Sequence, residues 1–187
     1  MGFISRIREE IKVIRERDPA IHSDMEVFLY PSFKVMIYYR IAHKLYLKHH
    51  YFLARWVSQK GVRRTGIEIH PGAQIGKRFF IDHGNGVIIG ETTVIGDNVT
   101  LYQGVTLGAA GHRPFDSNNF DGEQFPRHPV LEDNVTVYSN STLLGRITIG
   151  HDTIIGGNIW VTHDVPPNSR LRQSKFVDSQ FEGGLGI

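Results

Sequence analysis

Asp82-His83-Gly84 and, fifteen residues earlier, Glu68 are the side chains of this sequence best suited to moving a proton. An imidazole titrates near neutral pH, so it can draw a proton from a hydroxyl that is otherwise a poor nucleophile. A carboxylate holding the other ring nitrogen would stabilise the imidazolium, the base-plus-orienter logic of a catalytic triad with the hydroxyl supplied by a substrate. Spacing alone leaves a second reading open, in which Asp82-His83-Gly84 is a turn and Glu68 a solvated edge residue. Asp18 precedes Pro19, where it can equally cap a helix, and Arg127-His128-Pro129 closes a long polar stretch. There is no cysteine, which excludes disulfides, thiolate metal sites and cysteine nucleophiles. His70, His83, His128, His151 and His163 stand singly, without the close pair that a three-histidine zinc site wants.

A six-residue rhythm must position these residues. Aliphatics recur at Ile95, Leu101 and Leu107, then at Leu131, Val137, Leu143, Ile149, Ile155 and Val161. Small or β-branched residues follow four positions later, at Val99, Val105, Val135, Ser141, Thr153 and Val165. An earlier block, Ile69, Ile75 and Ile81, keeps the spacing in a register displaced by two, with the shift around Gly84–Ile88. Neither a helix nor an ordinary strand has this period, whereas a coil with three short flat sides does. Fixed-period self-similarity predicts a solenoid, here a β-helix from Ile67 to about Pro166. Leu107 and Leu131 lie 24 residues apart, so the phase returns, yet Gly111 to Asn119 does not resemble wall and reads as a loop leaving the coil.

The first third reads as helical. Phe3, Ile4, Ile7, Ile11 and Ile14 make an apolar stripe ending at Asp18-Pro19. Ser23-Asp24-Met25-Glu26 has the spacing of a capping box, and Pro31 can open a helix carrying Val35, Met36, Tyr39, Ala42, Leu45 and Tyr46. A third helix carries Phe52, Leu53, Trp56 and Val57, and Gly61 through Gly66 reads as a hinge into the coil. The expected organisation is a helical domain over 1–65, a coil domain over 66–168 and a polar, Gly-rich tail over 169–187. An apolar share of 40% with 21% charge fits a globular protein, and a net charge of +2 argues against a dedicated nucleic-acid surface. No run reaches the ~18 apolar residues of a membrane span, and Met1 to Arg6 lacks a secretory core, so a cytoplasmic location is expected.

Gly66-Ile67-Glu68-Ile69-His70-Pro71, Ile81-Asp82-His83-Gly84-Asn85-Gly86 and Gly90-Glu91-Thr92, with Arg127-His128-Pro129 downstream, resemble serine O-acetyltransferase. That family of hexapeptide-repeat acyltransferases moves acetyl from acetyl-CoA to the L-serine hydroxyl, the first step of cysteine biosynthesis from serine. The resemblance runs from Asp18-Pro19 through Pro166-Pro167 and takes in the last residue. It implies an α+β fold: an N-terminal α-helical domain followed by a left-handed parallel β-helix, with an extended loop and a flexible C-terminal tail. It also implies a homotrimer or dimer of trimers with sites between adjacent subunits. His83 and Glu68 fall on the family's catalytic positions, with Glu where many members have Asp. Asp82 and Asp18 fall on the positions that hold the serine ammonium, and Arg127 and His128 on those that hold its carboxylate. Arg suits that role because its fork meets a carboxylate bidentately.

Acetyl-CoA as co-substrate, with no metal, would lie along the groove between coils. Hexad phase puts the small residues Gly108, Ala109, Ser139 and Gly157 there. The chain departs from the family's usual pattern at Ala109-Ala110-Gly111-His112 and at Arg170-Leu171-Arg172-Gln173, so the resemblance carries over the acyl-transfer chemistry but not the details of CoA binding. Arg170, Arg172 and Lys175 read as a basic tail or as contacts to CoA phosphates. The terminal Ile187 matches family members whose carboxyl end enters the active site of O-acetylserine sulfhydrylase (cysteine synthase). Three other readings compete: a related acetyltransferase acting on a sugar or another small acceptor, a γ-type carbonic anhydrase, and a non-catalytic scaffold.

Overall fold

The aliphatic hexads wind into a parallel coil of triangular section. This computed structural model describes residues 3–110 and 126–173. Face one stacks β1 (Glu68–Ile69), β4 (Ile88–Ile89), β7 (Thr106–Gly108), β10 (Thr142–Leu144) and β13 (Trp160–Val161). Face two stacks β2 (Gln74–Ile75), β5 (Val94–Ile95), β8 (Val130–Leu131) and β11 (Thr148–Ile149). Face three stacks β3 (Phe80–Ile81), β6 (Thr100–Leu101), β9 (Thr136–Val137), β12 (Ile154–Ile155) and β14 (Arg170–Leu171). Strands this short are stable because every face buries its second residue against the same axis. Ile89, Ile95, Leu101, Leu107, Leu131, Val137, Leu143, Ile149, Ile155 and Val161 are all inside, and Val99, Val105, Val135, Ser141, Thr153 and Val165 fill the corners.

The register explains both interruptions of the rhythm. Ile81 pairs with Leu101 and Ile89 with Leu107, so the step from Ile81 to Ile89 takes eight residues where Leu101 to Leu107 takes six. The two extra residues lie in the corner holding Asp82-His83-Gly84. Ile95 pairs with Leu131, so the excursion after Leu107 adds the length of a whole coil and returns the chain in phase. Residues 111–125 of that excursion, Lys175 and the terminal Ile187 lie outside the described residues. The coil runs past Pro166-Pro167, because β14 pairs with β12.

Four helices close the first coil: α1 (Phe3–Arg17), α2 (Asp24–Val27), α3 (Pro31–Leu47) and α4 (Tyr51–Thr65). Phe80 points outward from face three and is buried with Val13, Ile14, Val27 and Phe33. Val35, Met36 and Tyr39 of α3 join the coil's own core, and the Tyr39 hydroxyl donates to the Ala73 carbonyl at 2.7 Å. His43 Nδ1 donates to the Pro71 carbonyl at 2.7 Å, so α3 is tied to the turn after β1 and packs over the first coil.

Three local expectations change. Gly61 lies inside α4 and is no hinge: it lets α3 come close, since a Cβ there would meet Tyr38 Cβ at 3.1 Å. Gly66 alone ends the helix, at φ +69. The packed face of α4 is the small-residue stripe Ala54, Ser58, Gly61 and Thr65, while Phe52, Leu53 and Trp56 are exposed. Ser23 caps no backbone N–H of α2. Instead Glu26 reaches back to the His22 N–H at 3.3 Å and to the Ser23 hydroxyl at 3.0 Å, half of the expected box. Among the described residues no helix is long and apolar enough to cross a membrane.

Because Phe80 is the main apolar tie between the helices and face three, Phe80→Ala should destabilise the fold by about 3 kcal/mol. Thermal or urea unfolding measures it, and an unchanged midpoint would show that the helices do not depend on this contact.

Candidate active site

Between face three and face one, the chain leaves β3 and turns through Asp82, His83 and Gly84. Both His83 and Gly84 take positive φ, +55 and +89. Gly is required at 84, since a Cβ there would meet Ile67 Cδ1 at 2.5 Å, whereas His tolerates the left-handed region better than most residues. This expanded corner presents the His83 side chain to solvent, with no hydrogen-bond partner among the described residues. Glu68 stands at the head of β1 beside the same corner, its N–H bonded to the Val87 carbonyl at 2.8 Å. Its charge faces Arg55 of α4 at 3.8 Å, and no hydrogen bond joins it to His83.

The helical cap brings Asp18 to this corner. Asp18 does not cap a helix. Its carboxylate accepts from the Ala20 N–H at 2.8 Å and from the Tyr30 hydroxyl at 2.7 Å. The Tyr30 hydrogen bond, then the Ala20 N–H, hold the carboxyl below the usual aspartate range, and His83 is close enough to add to the effect. The same bond pushes the Tyr30 phenol up to about 12, assisted by burial and by the charges of Asp18, Glu26 and Asp82. Asp18, Asp82, Tyr30 and His83 therefore form one electrostatic neighbourhood. Arg17 pins it to the coil through the Thr100 hydroxyl and the Asn98 side-chain carbonyl.

Arg127 and His128 are elsewhere, in the corner between faces one and two. There the excursion re-enters the coil above the turns that follow β1 and β4. Arg127 pairs with Glu91 at 3.6 Å, Glu91 accepts from the Tyr46 hydroxyl at 3.2 Å, and His70 Nε2 lies 3.9 Å from Glu91. His128 is buried against Gly90 and bonded to Thr92. Burial depresses the pKa of both rings. Arg127 depresses that of His128 further, as Arg55 does that of His70, against the opposing charge of Glu91.

The small residues divide in the same way. Gly108 and Ala109 leave β7 at the one–two corner. Ser139 and Gly157 stack at the three–one corner, where a Cβ on Gly157 would meet the Ser139 carbonyl at 3.3 Å. One chain thus carries two charged clusters on different corners: carboxylates with an exposed imidazole on one, a guanidinium with a buried imidazole on the other. Sequence reasoning did not single out Tyr30, Arg55 or Thr92. Tyr30 is one of many helical aromatics, Arg55 one of many basic helix residues, and Thr92 was noted only within Gly90-Glu91-Thr92. Among the described residues no group of three or more metal-ligating side chains converges.

No protein-family model matches the chain. It is 48% identical over 171 residues to a plasmid-encoded serine acetyltransferase of Synechococcus elongatus, covering 91% of this chain and 53% of that one. It is 46% identical over 170 residues to a serine acetyltransferase of Bacillus licheniformis, covering 90% of this chain and 74% of the relative. The crystal structure of Neisseria gonorrhoeae serine acetyltransferase in complex with serine superposes with a TM-score of 0.81 at 32% identity, over 92% of this chain and 67% of that one. The chain therefore spans about half the length of the cyanobacterial relative and about three quarters of the Bacillus one.

Tyr30→Phe should raise the Asp18 pKa toward the ordinary aspartate value, because it removes the strongest support of the ionised form. The stability Asp18 contributes, present above the unfolded carboxyl's pKa, would then be lost at a higher pH as the solution is acidified. A carbon-detected NMR titration of Asp18 reads this directly, and an unmoved midpoint would contradict the assignment.

Proposed function

This chain belongs to the serine acetyltransferase family, and we propose that it transfers acetyl from acetyl-CoA to the hydroxyl of L-serine. The observation that carries this reading is the separation of two complementary half-sites. Asp18 and Asp82 match the ammonium of an amino acid, and Arg127 with His128 matches its carboxylate. The two corners belong to different sides of one triangular coil, so a zwitterion could bridge them only where the three–one corner of one copy meets the one–two corner of another. A cyclic homotrimer, alone or paired into a hexamer, supplies such junctions. The same junction would put Ser139 and Gly157 of one copy opposite Gly108 and Ala109 of the next, a narrow groove for the pantetheine arm.

In the proposed mechanism His83 accepts the serine Oγ proton as Oγ attacks the thioester carbonyl. The C–O bond forms, the carbonyl electrons move to oxygen, and donors in the groove steady the oxyanion. As the oxyanion collapses the C–S bond breaks, and the leaving thiolate takes the proton back from the His83 imidazolium. Glu68 would support the imidazolium by turning from Arg55. No acyl-enzyme is required. Docking of Ile187 to O-acetylserine sulfhydrylase and a cytoplasmic location belong to the same proposal and rest on the resemblance of the chain.

A sugar acceptor lacks the ammonium and carboxylate, so the charged residues of both corners would have no partner in it. CoA thiol release should therefore appear with L-serine and not with a simple galactoside. His83→Ala should lower kcat/KM for serine by about 10²–10⁴-fold without unfolding the protein. Release with the galactoside alone would keep acetyl transfer and discard the amino-acid acceptor. An undiminished His83→Ala rate would remove the base.

A further inference from the structure

The one–two corner poses a hydrogen-bonding problem with a single solution. Thr92 Oγ1 lies 2.9 Å from the Arg127 backbone nitrogen, 3.1 Å from that of His128, and 2.9 Å from His128 Nδ1. The Thr92 backbone nitrogen lies 3.2 Å from the same Nδ1. Backbone N–H groups only donate, so the hydroxyl oxygen accepts from residues 127 and 128 and its one proton is left for Nδ1. Nδ1 then faces two donors from one residue and cannot itself carry a hydrogen. A neutral imidazole with a bare Nδ1 is protonated at Nε2. An imidazolium would set an Nδ1–H against the fixed N–H of Thr92.

The surroundings reinforce this state. The side chain is buried, only 7% of the residue being exposed, and Gly90 leaves room for the ring that any Cβ would fill. The groups facing it are Arg127 on its own segment, Glu91 after β4, His70 after β1, and Arg146 after β10. Arg146 donates to the carbonyls of Thr92 at 3.3 Å and His128 at 3.4 Å, tying both partners to the next coil. Glu91 is the one group here favouring a charged ring, and Arg127 lies beside it at 3.6 Å.

We propose that Thr92 is a positioning residue that locks His128 as a neutral Nε2–H donor, so that His128 binds the acceptor's carboxylate but cannot serve as a base. The donor role rests on the acetyl-transfer reading, whereas the tautomer does not. With Nδ1 occupied and Nε2 already protonated, His128 has no site for the hydroxyl proton, and the two histidines have separate tasks. His83 moves the proton. His128 adds a directed hydrogen bond to the charge of Arg127, selecting acceptors that bear a carboxylate.

Ring-nitrogen NMR of the full chain without substrate tests the tautomer. The wild type should show His128 protonated at Nε2 alone at neutral pH, while Thr92→Val, which removes one of the two donors to Nδ1 and keeps the backbone N–H, should raise its pKa. Thr92→Ser, which keeps the hydroxyl, should behave as wild type and controls for folding. In kinetics Thr92→Val should raise the serine KM about tenfold, the worth of one misplaced hydrogen bond, with kcat and the acetyl-CoA KM little changed. An Nδ1–H or doubly protonated His128 in the wild type would overturn the proposal, as would a serine KM indifferent to Thr92→Val. If the wild type released no thiol with serine while His128 showed the expected tautomer, the lock would stand and the acetyl-transfer reading, with the donor role that rests on it, would fail.

Discussion

Every coil of this protein is held by the stacking of one inward aliphatic from each face on its counterparts above and below. A two-residue strand has almost no stability of its own, so the axis of Ile, Leu and Val side chains and the parallel ladders around it must form together. That constraint leaves few places for chemistry. The faces cannot change length without throwing aliphatics out of the axis, whereas a corner can take extra residues provided the next strand returns in phase. Both anomalies of the chain obey this rule: two added residues where His83 sits, and the length of a full coil where Arg127 and His128 return.

The charges follow from the corners. The three–one corner lies under the helical cap, whose Asp18 and Tyr30 reach it because Phe80 fixes the cap on the adjoining strand. The one–two corner lies under the far end of α3, whose Tyr46 braces Glu91. The three–one corner carries the carboxylates of Asp18 and Asp82, and the one–two corner carries the guanidinium of Arg127 beside Glu91. The exposed Phe52, Leu53 and Trp56 of α4 give the helical cap an apolar surface that a single copy leaves uncovered.

Much of this was legible in the residues. The period of six gave the coil, its axis and both interruptions, because each inward position must be aliphatic and the spacing is rigid. The three long helices were legible in place, and α1 and α3 in facing, but the short α2 was not counted as a helix and the packed side of α4 was missed. For α4 the apolar residues suggested the packed side, yet close approach to α3 demands small ones, and Ala54, Ser58, Gly61 and Thr65 took it. Resemblance nominated the residues of the site, but no linear spacing could tell that they divide between two corners. Thr92 was invisible for another reason: its role depends on a hydrogen-bond count across 36 residues of sequence.

The central claim is that each site joins corners of two copies. Chains carrying His83→Ala and chains carrying Arg127→Ala, each nearly inactive alone, can be co-assembled and the mixed oligomers isolated by differential tags. If the half-sites meet across copies, the unseparated random mixture should recover about a quarter of the wild-type serine-dependent rate and the isolated mixed trimers about a third, the share of junctions that pair two intact corners. Mixed oligomers no more active than their parents would place the whole site within one chain and contradict the account.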